Sequence, residues 1–336
     1  MANNPAAQSV DASLRVGVVG GLRTALPRVV ADYSTVLVVI VLLLAFGLTS
    51  QNFFSGQNLF NIVKQMSIVG ILGIGLTMVI LIGGIDLSVG SIVLLSGGIT
   101  AVMMADYEMN AWLAIAIGLV AGMAVGLVNG LLIEVAHISP VIATLGTLIG
   151  VRGLGQIIVD NTWVWVNDPL FLQIAAGKFL FLPIMATVML ALYIVAAVVL
   201  RRTIFGRYVY AIGGNPIASW LAALPVTRTK IIVYVLSGLL AGVAGMLTAA
   251  TLGVMGPNVG AGMEFDAIAA VVLGGARLGG GEGRVEKTLM GTAILTMVLN
   301  FLTLRGIPDI WQQTVTGFLV LAAVLLNHVA QKARQV

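Results

Sequence analysis

The chain has 336 residues, of which 59% are hydrophobic and 9% charged, with 41 glycines, no cysteine, two histidines and a formal net charge of +4 at pH 7. Soluble domains carry about 25% charged residues, so a water-soluble fold is excluded and most of this surface must face lipid. Disulfide and thiolate chemistry are excluded with the cysteines, a histidine-built metal site has too few ligands, and the basic excess sits in short connectors, where it reports topology and not nucleic-acid binding.

Residues 1–32 are polar and carry Arg15, Arg23 and Arg28 ahead of the first apolar run. They read as a cytoplasmic tail. A cleaved signal peptide is the rival reading, but the run 36–48 is followed by Thr49, Ser50, Gln51 and Asn52 and not by a small-residue cleavage site. The transmembrane domain then covers residues 33–330. Apolar runs long enough for about 30 Å of hydrocarbon predict an all-α, polytopic membrane protein of about ten helices. The spans are expected at 35–49, 61–82, 88–105, 111–135, 140–158, 181–200, 231–252, 264–279, 288–304 and 311–328, of which 88–105 and 264–279 are short enough to be re-entrant.

Ten crossings put both termini in the cytoplasm. The connectors that are then internal hold 13 of the 17 lysines and arginines, as a positive-inside arrangement requires. The external loops hold acids instead: Asp106, Glu108, Asp160, Asp168 and Asp309. The long external stretch 161–178 carries Trp163, Trp165, Pro169 and Phe171, an interfacial belt or a docking surface for an external partner.

A G-G-x-x-L-x-x-G pattern occurs at 83–90 and again at 274–281, and the spacing from Asn129 to Gly146 repeats from Asn300 to Gly317. Spans two to five and seven to ten therefore read as two related halves, an arrangement common in transporters.

Within the membrane the most unusual stretch is GGIDLSVGS, residues 83–91. Gly83 and Gly84 permit a sharp bend. Asp86 is an ionisable group between two apolar runs, and such groups are expensive unless buried in protein or wet. Ser88 is placed to cap the next helix, with Asp86 near its positive end. The stretch is a structural cap, a pathway-lining hinge or, with no His or Glu beside it, a weaker candidate for proton coupling. Asn129, Thr144, Asn300 and Thr316 are polar positions inside spans, suited to inter-helix hydrogen bonds or to contact with a polar solute. Arg152, in the outer half of its helix, is expected to pair with a carboxylate; Glu134, Glu264 and Asp266 lie near span ends. Residues 279–288 (GGGEGRVEKT) fail the phosphate-loop pattern, because Glu286 stands where a glycine is needed ahead of Lys287 and Thr288. No hydrolase or metalloprotease motif is present, so the chain reads as a non-enzyme with no cofactor of its own.

Residues 201–230 carry Arg201, Arg202, Arg207, Arg228 and Lys230 without an acid, which marks them as a cytoplasmic loop. Inside it, Asn215 is a capping residue and Pro216 suits a first helical turn. A short helix at about 216–224, containing Ala218, Ser219, Trp220 and Leu221, follows. It is too short to span and needs either a groove in a partner or the lipid interface to bury its apolar side.

At these motifs the chain resembles a known family. GGIDLSVGS at 83–91, FGRYVYAIGGNP at 205–216 and EFDAIAAVVLGGARLGGGEG at 264–283 are similar to the permease subunits of bacterial ABC importers for monosaccharides of the ribose, xylose and galactose type, over roughly residues 35–328. The resemblance implies a homodimeric permease core in the bacterial inner membrane, cytoplasmic ATP-binding subunits that hydrolyse ATP, and a periplasmic sugar-binding protein. It implies that Gly206, Arg207, Gly213, Gly214, Asn215, Pro216, Ala218, Ser219 and Leu221 belong to a coupling segment seated in the ATPase. Gly83, Gly84, Asp86, Ser88, Asn129, Thr144 and Asn300 are the expected pathway or hinge residues. The chain departs from the family pattern at Trp220, at Ala223 and Leu224, where Gly-Ile is usual, and in the charged stretch 284–287. A secondary transporter or channel for a small polar solute, coupled through Asp86, is the alternative.

Overall fold

The computed structural model describes residues 35–335; the expected tail, residues 1–32, lies outside them. A helix stands at each of the ten places where a span is expected: α1 (Thr35–Thr49), α2 (Gly56–Leu81), α3 (Val89–Ala105), α4 (Ala111–Glu134), α5 (Pro140–Ile158), α7 (Ile184–Arg202), α10 (Val226–Leu252), α11 (Met263–Leu273), α12 (Val285–Leu304) and α13 (Asp309–Gln335). Six of them, α2, α4, α5, α7, α10 and α12, are long and apolar enough to cross a membrane, and α1, α3 and the 310–325 part of α13 are shorter apolar helices. With 11 residues, α11 is half a span in length.

Some boundaries shift for identifiable reasons. α2 starts ahead of the apolar run because Ser55 caps it, accepting from the Asn58 amide at 3.3 Å. α10 begins at Val226, so Thr227 through Lys230 are helical and not loop. α11 ends at Leu273, well short of residue 279, where Gly275 (φ 82°) donates to the Val272 carbonyl and Ala276 to Val271. That left-handed stop has a counterpart at the end of α2, where Gly83 (φ 78°) donates to Ile80 and Gly84 to Val79. Gly83 is thus matched by Gly275 and Gly84 by Ala276, one residue later than the G-G alignment of the sequence predicts.

The core is built on α10, which packs on α4, α3 and α2. Gly122 of α4 faces the Gly238 carbonyl of α10, where a side-chain carbon would come within 2.6 Å. Such small residues let the two backbones touch, the usual source of attraction between helices in lipid. Beyond the helices, two short ribbons are present among the described residues. β1 (Val164–Trp165) pairs antiparallel with β4 (Val254–Met255), in the register Val164↔Met255, and β2 (Lys178–Phe179) pairs with β3 (Leu182–Pro183). Between them lies α6 (Pro169–Ala176), capped by Asp168. The aromatic stretch is therefore structured, with Trp163 and Trp165 exposed.

Between α7 and α10 the basic segment forms two helices, not one. α8 (Ile204–Gly214) precedes α9 (Pro216–Leu221). The expected helix at 216–224 is thus shorter, closing at Leu221.

Candidate coupling and translocation site

Thr203 ends α7 and starts α8. Its hydroxyl donates back to the Val199 carbonyl at 2.6 Å and accepts from the Gly206 amide at 3.2 Å. Gly206 sits against the Leu200 backbone, close enough that a side chain there would collide with it, so the turn from α7 into α8 depends on that glycine. α8 buries Gly206, Val209, Ile212 and Gly213 on one face, the spacing of an amphipathic helix. Arg207 points to the exposed side.

Two polar contacts fasten this corner of the chain, one from α8 to the segment that leads into α12 and one from the end of α7 to the first turn of α12. The Tyr210 hydroxyl donates to the Gly283 carbonyl at 3.0 Å, and Arg201 pairs with Glu286 at 2.9 Å. Burial, and then the Glu286 carboxylate, push the Tyr210 phenol up, which keeps it a donor. Arg201, Arg207 and Arg284 border a cavity of about 510 Å³ at this junction.

The C-terminal end of α8 is seated on the end of α2. Gly213 is buried against the Leu81 carbonyl, which in turn accepts from the Gly281 amide at 2.9 Å. A carbon on Gly280 would meet the Gly213 carbonyl and the Gly83 amide, each at 2.9 Å. Three breaks in the chain, after α2, after α8 and after α11, therefore meet backbone to backbone. Gly214, in contrast, is exposed, with open space where a side chain would go.

From there Asn215 caps α9 by accepting from the Ala218 amide at 2.9 Å, with Pro216 in the first turn. Both roles match the sequence reading. Ser219 is buried, whereas Ile217, Trp220 and Leu221 are 73%, 70% and 71% exposed. A six-residue helix thus presents three large apolar side chains outward. It closes with Leu224 donating to Ser219, and Ala223 at φ 56°, the left-handed position where glycine is favoured. Ala223 therefore holds this turn in a conformation that costs an alanine more than a glycine.

At the opposite side of the same junction, Asp86 is fully buried and fully used. One oxygen accepts from the Ser88 amide at 3.0 Å and the Ser88 hydroxyl at 2.6 Å; the other accepts from Ser237 of α10 at 2.8 Å. Ser88 also accepts from Asn129 of α4 at 2.9 Å, and Asn129 accepts from Thr147 of α5 at 2.8 Å. Ser88 stands at the first position before α3 yet makes no capping bond; Asp86 takes its hydroxyl instead. Gly84 lies against the Tyr234 hydroxyl, which donates to Ile85 at 3.3 Å. The structure thus brings Gly83, Gly84, Asp86, Ser88 and Asn129 together, and adds Ser237, Thr147 and Tyr234. The last three were visible only as isolated polar residues in apolar runs.

Thr144 and Asn300 lie outside this cluster. The Thr144 hydroxyl donates to Pro140 of its own helix, and Asn300 exchanges two hydrogen bonds with Asn58 of α2, at 2.9 and 3.0 Å. The Asn129 and Asn300 positions therefore differ in partner despite their matching spacing. Glu264 and Arg152 each keep one buried side-chain atom without a hydrogen-bond partner, and they interact electrostatically. The carboxylate expected for Arg152 is the nearby Glu264, short of a direct salt bridge among the described residues. Glu134 pairs with Lys230 at 2.8 Å, joining α4 to α10.

Comparison with known proteins supplies what the geometry leaves open. Residues 58–324 match the family described as the permease component of branched-chain amino acid transport systems. The ribose import permease protein RbsC of Escherichia coli K12 is 39% identical over 304 residues, covering 89% of this chain and 94% of that protein. RbsC of Bacillus subtilis is 39% identical over 291 residues, 86% of this chain and 90% of that one. The L-arabinose ABC transporter permease protein AraH of Azospirillum brasilense is 34% identical over 300 residues, 89% and 88% of the two chains. No solved structure matches. With spanning helices, no nucleotide-binding motif and a family match along most of its length, the chain belongs to this family of transport-system permease components, integral to the membrane.

Proposed function

We propose that this chain is the permease subunit of an ATP-binding-cassette importer that moves a monosaccharide into the cytoplasm by alternating access. The observation that carries the reading is α9: Ile217, Trp220 and Leu221 stand exposed on a helix rooted, through Gly213, on the end of α2. Exposed apolar side chains on a short helix need a groove to fill, and of the relatives it resembles the ribose one is named an import permease and the L-arabinose one an ABC transporter permease. On this reading two copies pair across the membrane and the ten expected helices all cross. Both termini are cytoplasmic, residues 201–230 face the cytoplasm, and the two glycine-stopped breaks belong to related halves. ATP is hydrolysed on a separate subunit, a periplasmic binding protein delivers the sugar, and this chain needs no cofactor.

The secondary-transporter alternative needs a carboxylate that can gain and lose a proton in the pathway. Asp86 accepts three hydrogen bonds at 0% exposure, which argues for a staple. The test is uptake of D-ribose and L-arabinose by cells holding the permease with or without the proposed ATPase subunit. Uptake is expected to vanish with the ATPase and to survive a protonophore while ATP is maintained. Uptake that persists without the ATPase and collapses with the proton gradient overturns the proposal.

A further inference from the structure

The polar residues expected to line the pathway are mostly spent on one another. A different set is open. Between the first turn of α11 and α13, over Leu299 of α12, lies a cleft of about 790 Å³, lined by Gly262, Phe265, Asp266, Gln312, Gln313 and Thr316 among others. Its volume falls in the range of about 300–1,000 Å³ usual for small-molecule sites.

Three features define what the cleft would take. First, its polar groups are a carboxylate, two primary amides and a hydroxyl. Thr316 stands beside Asp266, and Gln312 donates to Thr303 at 3.1 Å, while the Asp266 carboxylate and the Gln313 amide line the cleft. Planar carboxylates and amides offer paired acceptors and donors, the pattern that adjacent sugar hydroxyls answer. Second, the Phe265 ring is 55% exposed at the rim, an apolar platform for the C–H face of a sugar ring, set against polar groups as in small-molecule sites generally. Third, the rest of this face is apolar: Ile310, Phe318, Leu321 and Leu325 are 74%, 68%, 60% and 63% exposed. Lipid will not solvate an aspartate and two glutamines on such a face, so the cleft must open to water or to a polar solute.

The backbone agrees. α11 does not start at the end of the bundle. The Gly260 carbonyl just ahead of it packs against Gly90, near the beginning of α3, so the loop 256–262 dips inward and α11 is a broken, half-length helix. Broken helices in transporters mark where solute is held.

We infer that the transported monosaccharide is held in this cleft during passage, hydrogen-bonded by Asp266, Gln313 and Thr316 and seated on Phe265. The inference rests on the importer reading for its solute class. Because the chain has no cysteine, Gln313→Cys or Thr316→Cys supplies a single thiol. In membranes holding the whole importer, its alkylation by a water-soluble maleimide is timed with D-ribose, L-arabinose, D-xylose or D-galactose, with and without ATP and the loaded binding protein. At a sugar concentration about ten times the dissociation constant, simple occupancy slows the reaction about tenfold. A thiol placed by Phe318→Cys, beside the cleft but not lining it, should show no sugar effect. Asp266→Asn should lower uptake of the protecting sugar about tenfold while the ATPase still co-purifies. Protection that appears although uptake needs no ATPase keeps the cleft and removes the ATP-driven reading. If none of the four sugars protects either thiol under any condition, the cleft is not the sugar's place, whatever drives transport.

Discussion

The seat of α8 on the end of α2 makes a sharp contrast between two adjacent glycines. A methyl group on Gly213 would overlap the Leu81 carbonyl and lie 2.6 Å from the Gly281 amide. Real side-chain carbons essentially never come within 3.0 Å of such atoms, and both obstacles are backbone, so the helix end must lift. Overpacking of this kind costs about 1–3 kcal/mol. Lifting also strains the Gly281-to-Leu81 hydrogen bond, worth about 1 kcal/mol. The gain in helix propensity on replacing glycine by alanine, about 1 kcal/mol at most, offsets part of this. A net loss of about 1–3 kcal/mol follows for Gly213→Ala. At Gly214 nothing lies within 4 Å, so Gly214→Ala should be neutral or gain a few tenths. Thermal unfolding of the purified permease, followed by tryptophan fluorescence, should rank Gly214→Ala at or above wild type and Gly213→Ala several degrees below. Gly214→Trp, with open space around it, should fold normally yet lose the ATPase on co-purification. Equal melting of the two alanine variants would refute the seat, and normal sugar-stimulated hydrolysis by Gly214→Trp would refute the docking surface.

Four further outcomes follow from the same geometry. Ala223→Gly relieves a left-handed alanine and should stabilise the loop by about 1 kcal/mol; a lower melting temperature would contradict the turn described here. Asp86→Ala leaves the Ser88 and Ser237 hydroxyls buried without their acceptor and should cost about 2–6 kcal/mol, from about 1–3 for each of the two, read as loss of folded protein in membranes, with Asp86→Asn less severe. Glu134→Ala strands Lys230, whose side chain is 23% exposed; a loss of about 1–2 kcal/mol, discounted from the 3–5 of a fully buried pair, should be partly recovered by exchanging the two residues. Trp220→Ala, at a side chain 70% exposed, should leave melting within about 0.5 kcal/mol of wild type while weakening ATPase retention.

Helices at the ten expected places were legible because a long, mostly apolar run answers directly to lipid. Their ends were not. Hydropathy stops at Ile231, but nothing in Thr227–Lys230 forbids helix, and Lys230 finds Glu134 across the interface, so α10 continues. α8 was hidden by the charges on it and just ahead of it: Arg207, with Arg201 and Arg202 at the end of α7, made a loop of a stretch whose Gly206, Val209, Ile212 and Gly213 recur at helical spacing. The two glycines 213 and 214 are equivalent on paper, and only the Leu81 carbonyl tells them apart. Asn129 and Asn300 occupy matching places, yet what each touches is decided by a residue far off in sequence, Ser88 or Asn58. The Asp266 cleft escaped for the opposite reason. Its polar groups come from two helices forty residues and more apart, and no local pattern joins them.

The distinction between spent and open polar groups bears on how motion would pass through the chain. Asp86, Ser88, Ser237, Asn129 and Thr147 tie the break after α2 to α10, α4 and α5 with no acceptor of Asp86 left idle. A closed network in a low dielectric is stiff, so that part of the bundle is expected to move as one body. The other side of the junction is built differently. α8 meets the 274–284 connector through Gly213, Gly280, Gly281 and the Tyr210 bond to Gly283, and that connector begins where α11 ends. A displacement imposed on α9 therefore has a short route: through the end of α8 into the connector, and along the rigid 11 residues of α11, about 16 Å at 1.5 Å per residue, to the turn that carries Phe265 and Asp266. On the proposed reading the sugar site and the coupling helix stand at the two ends of one lever, with the Asp86 network as the fixed body it turns against.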